Sequence, residues 1–233
     1  FSGIFQDYEK GHTMEFLTLD VKGTAAGIVM ALLLLLFGRG YGIIMLLELI
    51  WFLVLSAIVT NLGIRKKMKL GLNEKARGYK NVLANGMAPL IIAALYFANS
   101  FHQFANPAIL IIAFFSSISA ITADKFASEI GVLNGFPRSI VTFARLPKGT
   151  SGGITSLGIL AGLLGSFLVG ITYLFVSPNF AVVVLVVVAG FIGNVVDSFF
   201  GYFEEKGIGN KYTSNFACGS AGAIAGFAIA ILA

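Results

Sequence analysis

Seven apolar runs, each about long enough to cross the ~30 Å hydrocarbon core of a bilayer as a helix, constrain this chain more than any motif does. They fall at 22–38, 41–61, 82–99, 107–123, 153–176, 180–200 and 214–233. Segments such as "ALLLLLFG" and "AVVVLVVVAG" are apolar on every face, whereas barrel strands alternate apolar and polar residues over about ten positions. The expected fold is therefore all-α, a polytopic membrane bundle of about seven helices. Composition agrees, with 57% hydrophobic and 12% charged residues, 28 glycines and a mean hydropathy of +0.89. The single cysteine, Cys218, excludes an internal disulfide. Residues 1–13 lack the basic stretch and apolar core of a cleavable signal. The expected division is an N-terminal extension over 1–20 and one membrane domain over 21–233.

Basic residues cluster in alternate connections. The 62–80 loop carries Arg65, Lys66, Lys67, Lys69, Lys75, Arg77 and Lys80; 123–150 carries Lys125, Arg138, Arg145 and Lys148; 201–213 carries Lys206 and Lys211. "SFHQFANP" and "YLFVSPNF" have neither lysine nor arginine, and only Arg39 breaks the pattern. The positive-inside rule makes the basic loops cytoplasmic, with the N-terminus inside and the C-terminus outside. Such loops attract anionic lipid and would equally suit a phosphate-rich ligand; nothing in the pattern points to nucleic acid.

Sliding the chain on itself by about 135 positions lays "VKGTAAGIVMALL" over "SLGILAGLLGSFL", with Gly23, Ala26 and Gly27 on Gly158, Ala161 and Gly162, and lays Asn81 on Asn215. This suggests a parallel duplication of a three-helix unit. The GxxxG pairs Gly23–Gly27 and Gly158–Gly162 are expected to let backbones pack closely.

Polar residues inside membrane helices cost free energy unless paired or functional. Gly190, Asn194, Asp197 and Gly201 share one helical face, and Asn81 and Asn85 stand one turn apart. In "ITADKFASEIG", Asp124, Lys125, Ser128 and Glu129 interrupt an almost uncharged run near its end. In "RLPKGTSGGITSLG", Lys148, Gly149, Thr150, Ser151, Gly152 and Gly153 lead into a helix, whose free N–H groups and dipole favour an anion. The lysine precedes the glycines, so this is not a Walker A loop. Mg²⁺ takes oxygen ligands from one or two carboxylates plus phosphates, which makes Asp124, Glu129 and Asp197 candidate metal ligands and, with Lys148, candidate catalytic residues. Lys148, Gly149, Thr150, Ser151, Gly152, Gly153, Asn81, Asn85, Lys125, Ser128, Asn194 and Asn215 are the candidate nucleotide and phosphate contacts. The alternative is structural: interfacial salt bridges at Asp124, Lys125 and Glu129, and pairing of Asp197 with a neighbouring helix, the reading preferred for Glu48. His12 and His102 are poorly placed for catalysis, and Cys–His metal spacing is absent.

"NVLANG", "TADKFASEIG", "KGTSGG" with "SLGILAGLLGS", and "GFIGNVVDSFFG" with "SNFACG" occur in an order that resembles the transmembrane protein 19-like family, from about residue 20 to the C-terminus. The resemblance implies phosphoryl transfer from a nucleoside triphosphate, CTP by implication, to an isoprenoid monophosphate such as phytyl or geranylgeranyl phosphate. Lys125 and Phe126 stand where the family pattern implies threonine and tryptophan. Two other activities on the same chemistry remain open, an isoprenoid-alcohol kinase and a lipid cytidylyltransferase. A transporter of small solutes or lipids is the alternative from another class; transporters generally build their sites near the midplane from broken helices.

Overall fold

The computed structural model describes residues 19–72 and 78–232. Lys75, Arg77, His12 and most of the expected N-terminal extension lie outside the described residues. Seven long helices carry the apolar runs: α1 Val21–Gly38, α2 Gly42–Asn61, α4 Tyr79–His102, α5 Pro107–Gly131, α6 Ser156–Gly170, α7 Phe180–Glu204 and α8 Lys211–Leu232. A short basic helix, α3 Ile64–Lys69, follows α2. At 1.5 Å per residue the 18 residues of α1 rise about 27 Å, close to one bilayer core.

The apolar run Val21–Asn61 is 41 residues long. It is broken at Arg39, whose φ of 48° and ψ of −123° no helix tolerates. The chain folds back there, and a Cβ on Gly42 would lie 2.6 Å from the carbonyl oxygen of Leu35. Only glycine lets the turn close so tightly. The starts of α1 and α4 meet at Asp20 and Gly78, and their far ends meet where Arg39 donates to Ser100 Oγ at 2.5 Å, so these two run parallel. Arg39, the exception in the charge pattern, also lies over the ring of Phe101 at 5.5 Å.

Helix α5 is the axis. Phe114, Phe115, Ile118, Ala120 and Ala123 are completely buried, and α2, α4, α6, α7 and α8 all pack on it. Close approach rests on small residues, because lipid supplies no hydrophobic drive between helices. Gly158 sits on the Ala127 carbonyl, Gly165 on that of Thr122, Gly193 and Gly222 on Ala120. The reading of Gly158–Gly162 as a packing pair holds. That of Gly23–Gly27 does not, since a Cβ on Gly27 would meet nothing within 4 Å. The three-helix echo survives only in direction: α1, α2 and α4 alternate as α6, α7 and α8 do, but α1 packs on α4 whereas α8 packs on α7. Outward residues such as Leu32, Leu47, Leu164 and Ile224 are exposed and apolar, as a lipid-facing surface requires.

Candidate functional site

Helix α5 runs seven residues beyond Asp124 to Gly131, and α7 runs seven beyond Asp197 to Glu204. These two helices run in the same direction, so the equal offsets set both carboxyls at one depth, about 10 Å in from the helix ends. The "ADKFASEIG" segment is therefore the last two turns of a spanning helix and not its end. The two carboxyls lie within hydrogen-bonding reach of each other. Oδ1 of Asp197 is enclosed and has no hydrogen-bond partner among the described residues.

Around the pair lies a cavity of about 400 Å³, opening at the basic face. Ser128 of α5, Asn194 and Ser198 of α7, and Ser214 and Asn215 of α8 line its wall, and Lys148, Glu204 and Lys211 belong to its lining toward the helix ends. The glycine stripe on α7 explains how the parts meet. A Cβ on Gly190 would strike Ser119, and one on Gly201 would enter the backbone of Gly152, so α7 touches α5 and the 132–155 loop where it has no side chains.

That loop is a structured cap. A two-stranded antiparallel sheet pairs β1 Arg138–Ser139 with β2 Gly153–Ile154, and the Ile140 N–H donates to the Gly152 carbonyl at 3.1 Å. Gly149 and Gly152 have φ of 85° and 73°, and Gly152 is wedged against Ser198 and Tyr202. "KGTSGG" thus lines the cavity, but α6 begins at Ser156 and several of the N–H groups read as an anion nest are engaged. Ser151 N–H donates to Glu205 Oε1 at 2.8 Å, Gly153 N–H to the Thr150 carbonyl at 3.3 Å, and Gly158 N–H to its cap Thr155 Oγ1 at 2.9 Å. Lys148 reaches the Val132 carbonyl at 3.3 Å, a contact loose enough to exchange for a phosphate oxygen.

Three expectations are corrected. Glu129 is no partner of Asp124 and Asp197: it points between Lys67 and Lys125, pairing with Lys67 Nζ at 2.6 Å, with Lys125 Nζ, and with Thr60 Oγ1 at 3.2 Å. Lys67 is 1% exposed and also donates to the Thr60 carbonyl at 2.6 Å, so this ion triad pins α3 and α2 to the end of α5. Lys125 belongs to the triad and is absent from the cavity lining. Asn81 and Asn85 face each other, Nδ2 of Asn85 donating to Asn81 Oδ1 at 3.1 Å, and do not line the cavity. Sequence reasoning missed Glu204, Lys211, Ser198 and Ser214. The signal was available: Glu204 continues the Asp197–Gly201 face, and Lys211, Ser214 and Asn215 repeat at helical spacing. Glu48, read as structural, is buried in α2 and accepts from Thr172 Oγ1 at 2.8 Å.

Among the described residues no group of three His, Cys, Asp or Glu side chains is spaced to hold a metal ion. Two carboxylates, Asp124 and Asp197, stand together in the cavity, with Glu204 also in its lining. Such a pair suits Mg²⁺, which keeps waters and takes its other oxygens from substrate phosphates. Two like charges in contact also call for a proton or a cation between them, and the partnerless Asp197 Oδ1 is an acceptor free for it.

A helical multi-pass membrane protein with a carboxylate-bearing cavity at its basic face is the class these features define. The chain belongs to the integral membrane protein family DUF92, which it matches over residues 11–231, in agreement with the transmembrane protein 19-like resemblance. It is 38% identical to an uncharacterized membrane protein of Methanocaldococcus jannaschii over 91% of this chain and 85% of that protein. It is 31% identical to the chloroplastic protein VTE6 of Arabidopsis thaliana over 82% of this chain and 59% of VTE6, and 28% identical to the Arabidopsis protein PGR over 79% and 71%. No solved structure matches.

Proposed function

We propose that the protein is a membrane-embedded kinase that transfers the γ-phosphoryl group of a nucleoside triphosphate, CTP on the family resemblance, to an isoprenoid monophosphate. The observation that carries this reading is the Asp124–Asp197 pair, with its partnerless oxygen, beneath a lysine-bearing glycine cap in a cavity open at the basic face. Asp124 and Asp197 would hold Mg²⁺, which when bound neutralises charge on the phosphates. Lys148 and Lys211, in the cavity lining, supply the positive charge that draws polyphosphate to the mouth. Asn194, Asn215, Ser128 and Ser198 supply neutral donors that orient phosphate oxygens. An oxygen of the isoprenoid monophosphate attacks the γ-phosphorus; one P–O bond forms as the bond to the β–γ bridging oxygen breaks, and the nucleoside diphosphate leaves with that electron pair. No general base is required, because a monophosphate is already anionic near neutral pH.

The basic face is assigned to the cytoplasm, where nucleotide is available. A cysteine at Lys69 should react with impermeant maleimide only from the cytoplasmic side, and one at Ser177 only from the other; Cys218 is buried and gives little background. The opposite labelling would put the cavity on the face without nucleotide. Lys148→Ala should leave the fold intact and weaken nucleotide binding by about 1.5–3 kcal/mol, the scale of one charge-assisted hydrogen bond, or one to two decades in Kd. Calorimetric titration with nucleotide measures it, and unchanged affinity removes the cap from the site.

The reading as a whole is tested by incubating purified protein with Mg²⁺, a series of nucleoside triphosphates, and both isoprenyl monophosphates and isoprenoid alcohols. Isoprenyl diphosphate formed from the monophosphate is the expected product. Monophosphate formed from the alcohol would make it an alcohol kinase. Solute uptake into proteoliposomes without nucleotide, in the absence of any phosphorylated product, would make it a transporter.

A further inference from the structure

The cavity that holds Asp124 and Asp197 does not stay polar. On α7, Val195 and Phe191 continue the Ser198 stripe one and two turns deeper, and Ile159 of α6 joins them; all three line the cavity. Ile159 is also 40% exposed and Val195 41% exposed; Val195 continues the exposed row Val188, Ile192 and Phe199 of α7, and Ile159 stands one turn from the exposed Leu163 of α6. A residue that both lines a cavity and faces lipid marks a side wall that is open. Helices α6 and α7 are in contact farther along, where a Cβ on Gly162 would meet Asn194 Nδ2 at 2.8 Å and one on Gly170 would meet the Val183 carbonyl at 3.1 Å. Between Gly162 and the cap the cavity lies between them, lined by Ile159 from α6 and Val195 from α7.

We propose that this gap between α6 and α7 is a lateral portal that seats the isoprenoid chain of the substrate, the tail running from the carboxylate pair past Val195 and Phe191 into the bilayer. The proposal rests on the kinase reading for its occupant, but the portal itself follows from the cavity walls. Its chemistry fits one amphiphile: anion-attracting lysines at one end, methyl-sized aliphatic walls and an aromatic ring at the other, and no polar side chain among Ile159, Phe191 and Val195. A chain that remains in lipid while its phosphate enters from the side loses little hydrophobic contact on binding, and its length is not limited by the cavity volume. Val195 and Ile159 then determine which chains are admitted.

Photo-crosslinking tests this without requiring turnover. The full-length protein in lipid nanodiscs is irradiated with geranylgeranyl monophosphate carrying a diazirine on its chain, and adducts are mapped by mass spectrometry. Adducts are expected at Ile159, Phe191 or Val195, competed by unlabelled geranylgeranyl monophosphate and not by phosphatidic acid. Val195→Trp should lower them at least tenfold, while Leu164→Trp, on the lipid face of α6 and outside the cavity lining, should leave them unchanged. Adducts spread over α1 or α4, or unaffected by Val195→Trp, overturn the portal. Equal competition by phosphatidic acid overturns the isoprenoid assignment. Portal adducts in a protein that transfers phosphate from no nucleotide would keep the portal and remove the kinase.

Discussion

Asp197→Asn is expected to cut turnover by a factor of about a hundred or more, the scale of losing one preorganised electrostatic group at a reacting centre, while leaving the thermal midpoint unchanged or raised. The two halves of that expectation come from the same geometry. Oδ1 of Asp197 has no hydrogen-bond partner to lose, and the Asp124 carboxyl lies within hydrogen-bonding reach of the Asp197 carboxyl, so an amide there relieves a like-charge contact and can donate across it. On the proposed metal role function suffers, because an amide keeps the shape but loses the charge that a divalent cation requires. Stability held in reserve at a strained active site is a common trade. Asp124→Asn should likewise cut turnover on the proposed metal role. Turnover and thermal midpoint measured on the same detergent preparations separate the outcomes: activity that merely tracks the folded fraction would make Asp197 structural, and near-normal turnover in a folded variant would remove it from the site.

Glu129→Gln should do the reverse, destabilising the protein by about 3–5 kcal/mol, as when one member of a buried ion pair is removed. Lys67 and Lys125 both converge on this carboxylate. Without its charge, two buried ammonium groups face each other with an amide that can accept from only one oxygen. Thermal unfolding in detergent reads the loss, and residual activity should follow the folded fraction. Lys125→Thr, which restores the residue implied by the family pattern, leaves Lys67 and Glu129 as a neutral pair with Thr60 and should cost about 1 kcal/mol or less, within the usual range of single substitutions. A fully stable Glu129→Gln protein with lost turnover would return Glu129 to the catalytic group.

The contrast between these two carboxylates shows how far the sequence could be read. The spans, their alternation and the basic face follow from hydropathy and loop charge, because a bilayer leaves backbone groups few ways to be satisfied. The face shared by Gly190, Asn194, Asp197 and Gly201 follows from helical periodicity, and α7 does present it to α5 and the cap. What periodicity cannot give is which face of α5 meets which neighbour. Glu129 is five residues from Asp124, about 140° round the helix, and that rotation turns it from the cavity toward Lys67, a residue 62 positions away in sequence. Lys67 itself reads as one more interfacial cation until α3 folds under the bundle. Asn81 and Asn85 read as site residues because they share its membrane face. Depth alone did not bring them to the cavity, since α4 packs on α1 and α8 at a different part of the bundle. The 132–155 connection reads as a turn and a cap; its sheet depends on Gly149 and Gly152 adopting positive φ, which composition permits and only the fold selects.

In the proposed reaction the γ-phosphorus, and no other part of the nucleotide, moves to an isoprenoid monophosphate. Parallel incubations of the purified protein with Mg²⁺ and geranylgeranyl monophosphate, one with CTP labelled at the γ-phosphate and one at the α-phosphate, test it directly. The account predicts labelled geranylgeranyl diphosphate from the γ-labelled nucleotide only, and its disappearance with Asp197→Asn. Label from the α-phosphate in the lipid product would reveal a cytidylyltransferase, and absence of label from every nucleotide tried would contradict phosphoryl transfer altogether.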